Sequence, residues 1–461
     1  MQAITQRMNQ KAIMKHIKTP PEGPGALILS AYGFLAFPLA AAFIALQVIV
    51  PTHYAEATAM SLSTIGAIML VARLWDTVTD PLIGFLSDKT PQRLGRRRIW
   101  IVVSVPLICI SAYALFNPSG DSDKSYLLVW TLAIYIAGTM AIIPMNAWGA
   151  ELSPDYHQRN KVTGTRAAFG LAGTIAALLI TAITGQAGSD ALTNALFFIT
   201  LLVMCTFTIA VILLFWVPDN TPTHLPSNQI RDGIKLIVTP SPYRTLLVGF
   251  LLNSAGNAIP ATLFLFYVSY FLQVPEKAGM LLFMYFLFAA FSVPFWVWLA
   301  KKVGKHKTWR WSILTACLLF AWTPFLNPGD IVIYTIIVLA TGFTTGCDLM
   351  IPTSMNGDLV EWDAAKNGYR RPGLLFAIWG TTTKLSFALA IGIAFPLLDL
   401  CGFTAGPGNS TQALAALGFM YGLPCIFLKL LALYRMRGYE ITESRYEQLL
   451  KRNQNISKIA Q

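Results

Sequence analysis

VARLWDTVTDPLIGFLSDKTPQRLGRRR, residues 71–98, is the stretch that decides how the chain is read. It is a long apolar run that carries two acids and ends in a cluster of basic residues. Asp76 and Asp80 stand at i, i+4, with Thr79 between them. On a helix these three share one face, with Arg73 one turn away on the same side. Asp88 precedes the basic cluster and marks the end of the run. Asp76 lies twelve residues further in, or roughly 18 Å at 1.5 Å per residue. Half a bilayer's hydrocarbon core is about 15 Å. Both acids therefore fall near mid-membrane. Inserting each costs about 2.5–3.5 kcal/mol, and packing alone does not require them. Two carboxylates and a hydroxyl supply hard oxygen ligands for a small cation. Alternatively, one carboxylate holds a proton, or Asp76 pairs with Arg73 to hold helices together.

The rest of the chain agrees with a membrane reading. It has 461 residues, 55% hydrophobic and 12% charged, against about 25% charged in soluble proteins. Spans of roughly 20 apolar residues are expected at about 27–50, 61–87, 98–117, 125–150, 163–185, 192–217, 244–272, 278–300, 308–326, 330–356, 371–398 and 411–436. This is an all-α integral membrane protein of twelve helices. The net charge of +12 is placed by topology. Lys89 and Arg96–Arg98, Arg159 and Lys161, Arg231 and Lys235, Lys301–Lys307, and Lys366–Arg371 all fall in alternate loops. The intervening loops carry only Lys124 and Lys277. That is the positive-inside pattern, and it puts both termini in the cytoplasm. It also removes nucleic acid as a partner and makes the lipid bilayer the surroundings. Residues 1–26 read as a cytoplasmic tail without a cleavable signal peptide. The six cysteines are scattered, with no CxxC pair, and read as small core residues.

The polar stretch 218–243 divides six spans (27–217) from six (244–436), and 437–461 is a second cytoplasmic tail. A weak repeat relates the halves. Pro81 and Pro294 are each followed five residues later by Leu, then by Gly and basic residues. Pro144 and Pro352 are each followed by an acid and then by basic residues. Two such halves are a common transporter layout, with the site near the midplane between them.

Other polar residues inside spans are candidates. Lys384 sits deep in LLFAIWGTTTKLSFALAIG and needs an acidic partner, Asp76 or Asp80, or a water-filled cavity. Asp348 is ten residues inward of Asp358, about 15 Å. It is available to Lys384, to a solute or to a structural pair. Glu151 and Arg166 flank the fourth loop and suit a cytoplasmic latch. Asn146, Asn253, Asn257 and Gln47 suit interhelical hydrogen bonds. Trp75, Trp148 and Trp379 suit packing, with sugar stacking as the alternative. The five histidines lie in tails, loops or their edges, and no HExxH, GxSxG or Walker A pattern occurs. The chain is not read as an enzyme.

GFLSDKTPQRLGRRR resembles the loop signature of the major facilitator superfamily. The wider block ARLWDTVTDPLIGFLSDKT, with AELSPDYHQRNKVTGTR and NGDLVEWDAAKNGYRRPGLLFAIWGTTTKLSFALA, is similar to the glycoside–pentoside–hexuronide:cation symporters, typified by the melibiose permease. The resemblance implies two pseudo-symmetric six-helix bundles, alternating access and a monomer in the cell (inner) membrane. It implies a cation site, Na⁺ or H⁺, at Asp76, Thr79, Asp80 and Thr139, with no other cofactor. Lys384 matches the family's functional lysine, and Arg73 and Arg166 match cavity arginines. Asp348, Asn146 and Trp379 join them as cavity candidates. Asp88, Arg97, Glu151, Arg159 and Asp358 are the expected cytoplasmic gate. The family's two sugar-binding acids are absent, since their positions hold Leu35 and Ile142. The expected substrate is a small organic solute, a sugar or glycoside, with a lysolipid or other amphipathic molecule as the alternative. A non-transporting membrane sensor is a further reading.

Overall fold

The structure, a computed structural model, describes residues 25–58, 60–91, 95–118, 123–152, 156–184, 191–219, 239, 241–367, 372–406 and 408–439. Among these it is entirely helical, with twelve long elements. They are α1 (Ala26–Ala57), α2 (Leu62–Lys89), α3 (Arg98–Phe116), α4 (Lys124–Glu151), α5 (Tyr156–Thr184) and α6 (Ala191–Leu214). The second six are α7 (Pro242–Phe271), α8 (Ala278–Val303), α9 (Lys305–Phe320), α10 (Ile331–Asn367), α11 (Pro372–Leu400) and α12 (Thr411–Met436). Most of the stretch 218–243 and both tails lie outside the described residues.

Local chemistry sets the ends. Ser61, Asp123, Ser241 and Ser410 cap α2, α4, α7 and α12, each side chain accepting a backbone N–H of the first turn. Gly304, at φ +88, makes the turn between α8 and α9 in one residue, a conformation glycine alone adopts freely. α1 and α7 each contain a π-turn, Ala45–Ile49 and Tyr267–Phe271, in their later halves.

Among the described residues, eleven helices are long and apolar enough to cross a membrane. The exception is α9, expected at 308–326, which has 16 residues and is followed by the 3₁₀ turn Thr323–Phe325. Pro324 in that turn cannot continue the helix. α9 still spans about 24 Å at 1.5 Å per residue. α10 runs to Asn367, eleven residues past its expected end, because NGDLVEWDAAKN continues the helix.

Large apolar side chains such as Phe291, Trp298, Ile212 and Phe215 are exposed. A surface of this kind suits lipid and not water. α7 is the most central helix, with 67% of its apolar window buried against 28% in α8.

The halves meet along α2 with α11, α5 with α8, and α1 with α7. Their contact is uneven. At the end remote from the basic loops, one core runs through both halves and includes Leu46, Ile49, Ile65, Phe266, Phe395 and Phe403. There Gly279 lies so close to Thr181 that an added Cβ would overlap its carbonyl, and Gly392 meets Leu70 closely. Tyr270 donates to Glu56 Oε1 across the halves at 3.0 Å. At the basic end a second core, with Tyr243, Trp296, Trp309, Leu359 and Trp379, belongs to the second half alone. Gly164, Gly357 and Gly380 face open space there. Among the described residues, the closest packing between the halves lies toward the end remote from the basic loops.

Candidate functional site

The face of α2 expected from the spacing is present. Asp76 and Asp80 point toward α4 and α11. Thr139 of α4 bridges them, with Oγ1 at 2.7 Å from Asp76 Oδ1 and 3.2 Å from Asp80 Oδ1. Lys384 of α11 closes the group. Its Nζ lies 2.7 and 2.8 Å from the two oxygens of Asp80 and 2.9 Å from Asp76 Oδ2. Arg73 stands 3.8 Å from Asp76 Oδ2 and packs its guanidinium over the Tyr135 ring at 4.6 Å. Asp76 is 3% exposed, whereas Asp80 and Lys384 are 16% and 21% exposed. One side of the centre is therefore open. Two acids face two cations, so the centre is neutral as it stands.

Thr79 departs from the expected ligand set. Its hydroxyl donates to the main-chain carbonyl of Asp76 at 3.1 Å, as helical threonines commonly do. The hydroxyl that reaches the carboxylates is that of Thr139.

Asp348 does not meet Lys384. It belongs to a second centre, built wholly from α7, α9, α10 and α12. Trp309 Nε1 donates to its Oδ1 and Asn257 Nδ2 to its Oδ2, both at 2.8 Å. Lys429 Nζ lies 3.7 Å from Oδ2 and donates to Asn253 Oδ1 at 2.9 Å. Lys429 is 1% exposed and Asp348 12%. Asn253 and Asn257 thus make the interhelical bonds expected of them. Lys429 is the residue that sequence reading missed. Its signal was available in IFLKLLALY, a lysine with apolar neighbours on both sides.

The other candidates are dispersed. Trp379 stacks face to face on Phe250, centroids 3.8 Å apart, as a packing residue. Arg166 donates to the exposed Asn146, joining α5 to α4. Leu35 is fully buried and Ile142 partly so. At the basic end, Arg97 donates to Ser87 Oγ at 2.8 Å, and Lys305 grips both oxygens of Asp358 at 2.7 and 2.8 Å. Each of these contacts joins elements of one half. The side chains of Asp88, Glu151 and Arg159 lie outside the described residues.

Known proteins resemble the chain along most of its length. The family model described as MFS/sugar transport protein matches residues 31–443. The chain is 26% identical over 425 residues to the sodium-dependent lysophosphatidylcholine symporter 1 of Homo sapiens, covering 83% of this chain and 77% of that one. It is 22% identical over 410 residues to the putative glycoside/cation symporter YagG of Escherichia coli, covering 86% and 87%. Among solved structures, the nucleoside transporter NupG superposes with a TM-score of 0.63 at 12% identity, covering 90% of this chain and 99% of that one. The inward-open xylose transporter XylE of E. coli superposes at 0.61 and 14% identity, covering 92% and 98%. These two show a shared fold.

Proposed function

We propose that this chain, which belongs to the MFS/sugar transport family, is a cation-coupled symporter whose ion site lies between Asp76, Asp80 and Thr139. The observation that carries the reading is the position of Lys384. Its ammonium sits within 2.9 Å of three carboxylate oxygens, where a coupling cation would be held. The lysine stands in for the ion. Na⁺ or H⁺ entering the site neutralises the acids and releases Lys384, the one member of the group from the second half. The bond between α2 and α11 is then exchanged for a bond to the ion. A site with two bare carboxylates resists occlusion, so the halves rearrange when either the ion or Lys384 fills it. Thr79, on the same helix, becomes an ion ligand once its hydroxyl turns from its own backbone.

The basic end is cytoplasmic in this reading, with both termini on the cytoplasmic side of the cell (inner) membrane. The chain acts as a monomer and carries out no catalysis. Its solute is a small organic molecule, a sugar or glycoside. The second reading, a lysolipid or other amphipathic solute, is favoured by one observation. Leu35 and Ile142 hold the positions where sugar carriers of this type have acids, and a carboxylate's charge-assisted hydrogen bonds to hydroxyls are lost there.

Calorimetry of the purified protein with Na⁺ at fixed pH tests the site. Saturable binding in wild type that disappears in Asp80→Asn is the expected result. No sodium heat, with proton uptake on adding solute, assigns H⁺ as the ion. Uptake indifferent to both ions would overturn symport and leave the α2 acids as structural.

A further inference from the structure

The two halves use their basic residues differently. Between α2 and α3, Arg96 and Arg97 are buried. Arg98 donates to the Val217 carbonyl at 2.7 Å and lies over the Trp148 and Phe215 rings. Of the described basic residues at the end of α2 and the start of α3, only Lys89 is exposed. The corresponding turn of the second half, KKVGKHKTWR, carries Lys301, Lys302, Lys305, Lys307 and Arg310. Asp358 engages Lys305. Among the described residues, no acid pairs with the other four. Lys301, Lys302 and Lys307 are exposed, and Arg310 is half-buried.

These spare charges head two apolar stripes. On α8, Phe291, Phe295, Trp298 and Lys302 stand at i, i+4, i+7 and i+11, and all four are exposed. On α9, Lys307, Trp311, Leu314 and Leu318 repeat that spacing and are exposed as well. Such spacing keeps residues on one face of a helix. Gly304 joins the two helices in one residue, so Lys302 and Lys307 lie on either side of a tight turn. Lys302 Nζ stands over the Trp298 ring, 4.2 Å from its centroid. Trp298 and Trp311 are each about one turn from a lysine of their own stripe, where amphipathic rings sit at the headgroup level of a bilayer.

Only one class of molecule uses charge and stripe together. A small free anion would meet the cations and leave the stripes unused. A neutral lipid would cover the stripes and leave the cations unmatched. A phosphodiester takes charge-assisted hydrogen bonds from Lys and Arg, and basic clusters beside a span attract anionic headgroups. We propose that the α8–α9 turn is a binding site for an anionic diacyl phospholipid, with its phosphate held by Lys302, Lys307 and Arg310 and its acyl chains along the two stripes. The lipid is a bound partner and not the transported solute. The inference goes beyond the symport reading and holds whichever ion and solute are carried.

Native mass spectrometry of the delipidated full chain tests the site, with phosphatidylglycerol and phosphatidylcholine of identical acyl chains titrated separately. Phosphatidylglycerol should bind at least about tenfold more tightly. The triple variant Lys302→Gln, Lys307→Gln, Arg310→Gln should lose that preference, and Lys89→Gln should keep it. If the triple variant does not fold, the double variant of the two exposed lysines, Lys302→Gln with Lys307→Gln, decides, and its preference should fall at least about threefold. Equal affinity of wild type for the two lipids overturns the site, and so does an undiminished preference in the variants. Loss of the preference in Lys89→Gln would make it a property of net charge and overturn the site too. Displacement of bound phosphatidylglycerol by an equimolar amount of soluble glycerol phosphate would show that the chains contribute nothing, and overturns the lipid assignment.

Discussion

The two charged centres share components but not construction. The first joins Asp76, Asp80 and Thr139 of one half to Lys384 of the other, with charge directly against charge at 2.7–2.9 Å. The second lies within one half, and its opposite charges stand 3.7 Å apart, with neutral N–H donors making the close contacts. In the proposed symport, a cation replaces an ammonium that crosses between two halves which part as they alternate. It cannot easily replace one held inside a single packed bundle. On that reading the first centre suits exchange and the second permanence. The same four-part chemistry of acid, base, hydroxyl or amide, and aromatic ring thus gives two behaviours, set by which helices carry it.

The strongest way to break this distinction is to remove an acid from each centre and compare ion binding. Asp80→Asn or Asp76→Ala should abolish saturable cation binding and uphill accumulation. Asp348→Asn should leave cation binding intact. Ion-driven accumulation surviving in Asp76→Ala would remove the first centre's role. Loss of the calorimetric signal in folded Asp348→Asn would make the two centres one.

Removing the lysines should separate the centres in opposite directions. Lys429→Met strips a buried acid of its counter-charge, and breaking such a pair costs about 3–5 kcal/mol. The melting temperature of the purified protein should fall accordingly, and Asp348→Asn on the same background should recover part of the loss. Lys384→Met removes a competitor from the ion site. Cation affinity should rise at least about tenfold, or ~1.4 kcal/mol, while solute no longer accumulates against its gradient. Equal destabilisation by the two substitutions, with no gain in ion affinity, would show that Lys384 is as structural as Lys429.

Much of this was legible in the sequence, and the parts that were not share a cause. Depth along a helix follows from counting residues at 1.5 Å each. That puts Asp76, Asp80, Asp348 and Lys384 far from the ends of their spans, and the structure has all four inside α2, α10 and α11. The direction in which a side chain points around the helix axis depends on its neighbours, which counting does not supply. Sequence leaves Asp348 open between Lys384, a solute and a structural pair, and its opposite charge in the structure is Lys429, on a helix distant in sequence. Lys429 itself was overlooked because a lysine eight residues from Arg437 reads as part of a basic end. Sequence offers both cavity and packing for Trp379, and its stacking on Phe250 depends on α7 lying beside α11. α9 ends early because Pro324 ends a helix whose hydropathy alone continues.

The finest test swaps neutral donors, where the expected effects are about 1 kcal/mol each. Thr139→Val deletes the hydroxyl that bridges Asp76 and Asp80 at 2.7 and 3.2 Å, and Thr139→Ser keeps it. Cation affinity should drop several-fold in the first and hold in the second, with little change in melting temperature for either. Trp309→Phe deletes the indole N–H that holds Asp348 Oδ1 at 2.8 Å. Its cost should appear in the melting temperature, with cation affinity untouched. The pairing is informative because each substitution removes a single neutral donor from one of the two centres. If each moves the quantity assigned to it and leaves the other alone, exchange and permanence are properties of where the donor sits. If Trp309→Phe weakens the ion instead, the bundle around α7 transmits strain to α11, through a contact such as the 3.4 Å bond from Ser386 Oγ to the Leu251 carbonyl, and the second centre sets the geometry of the first.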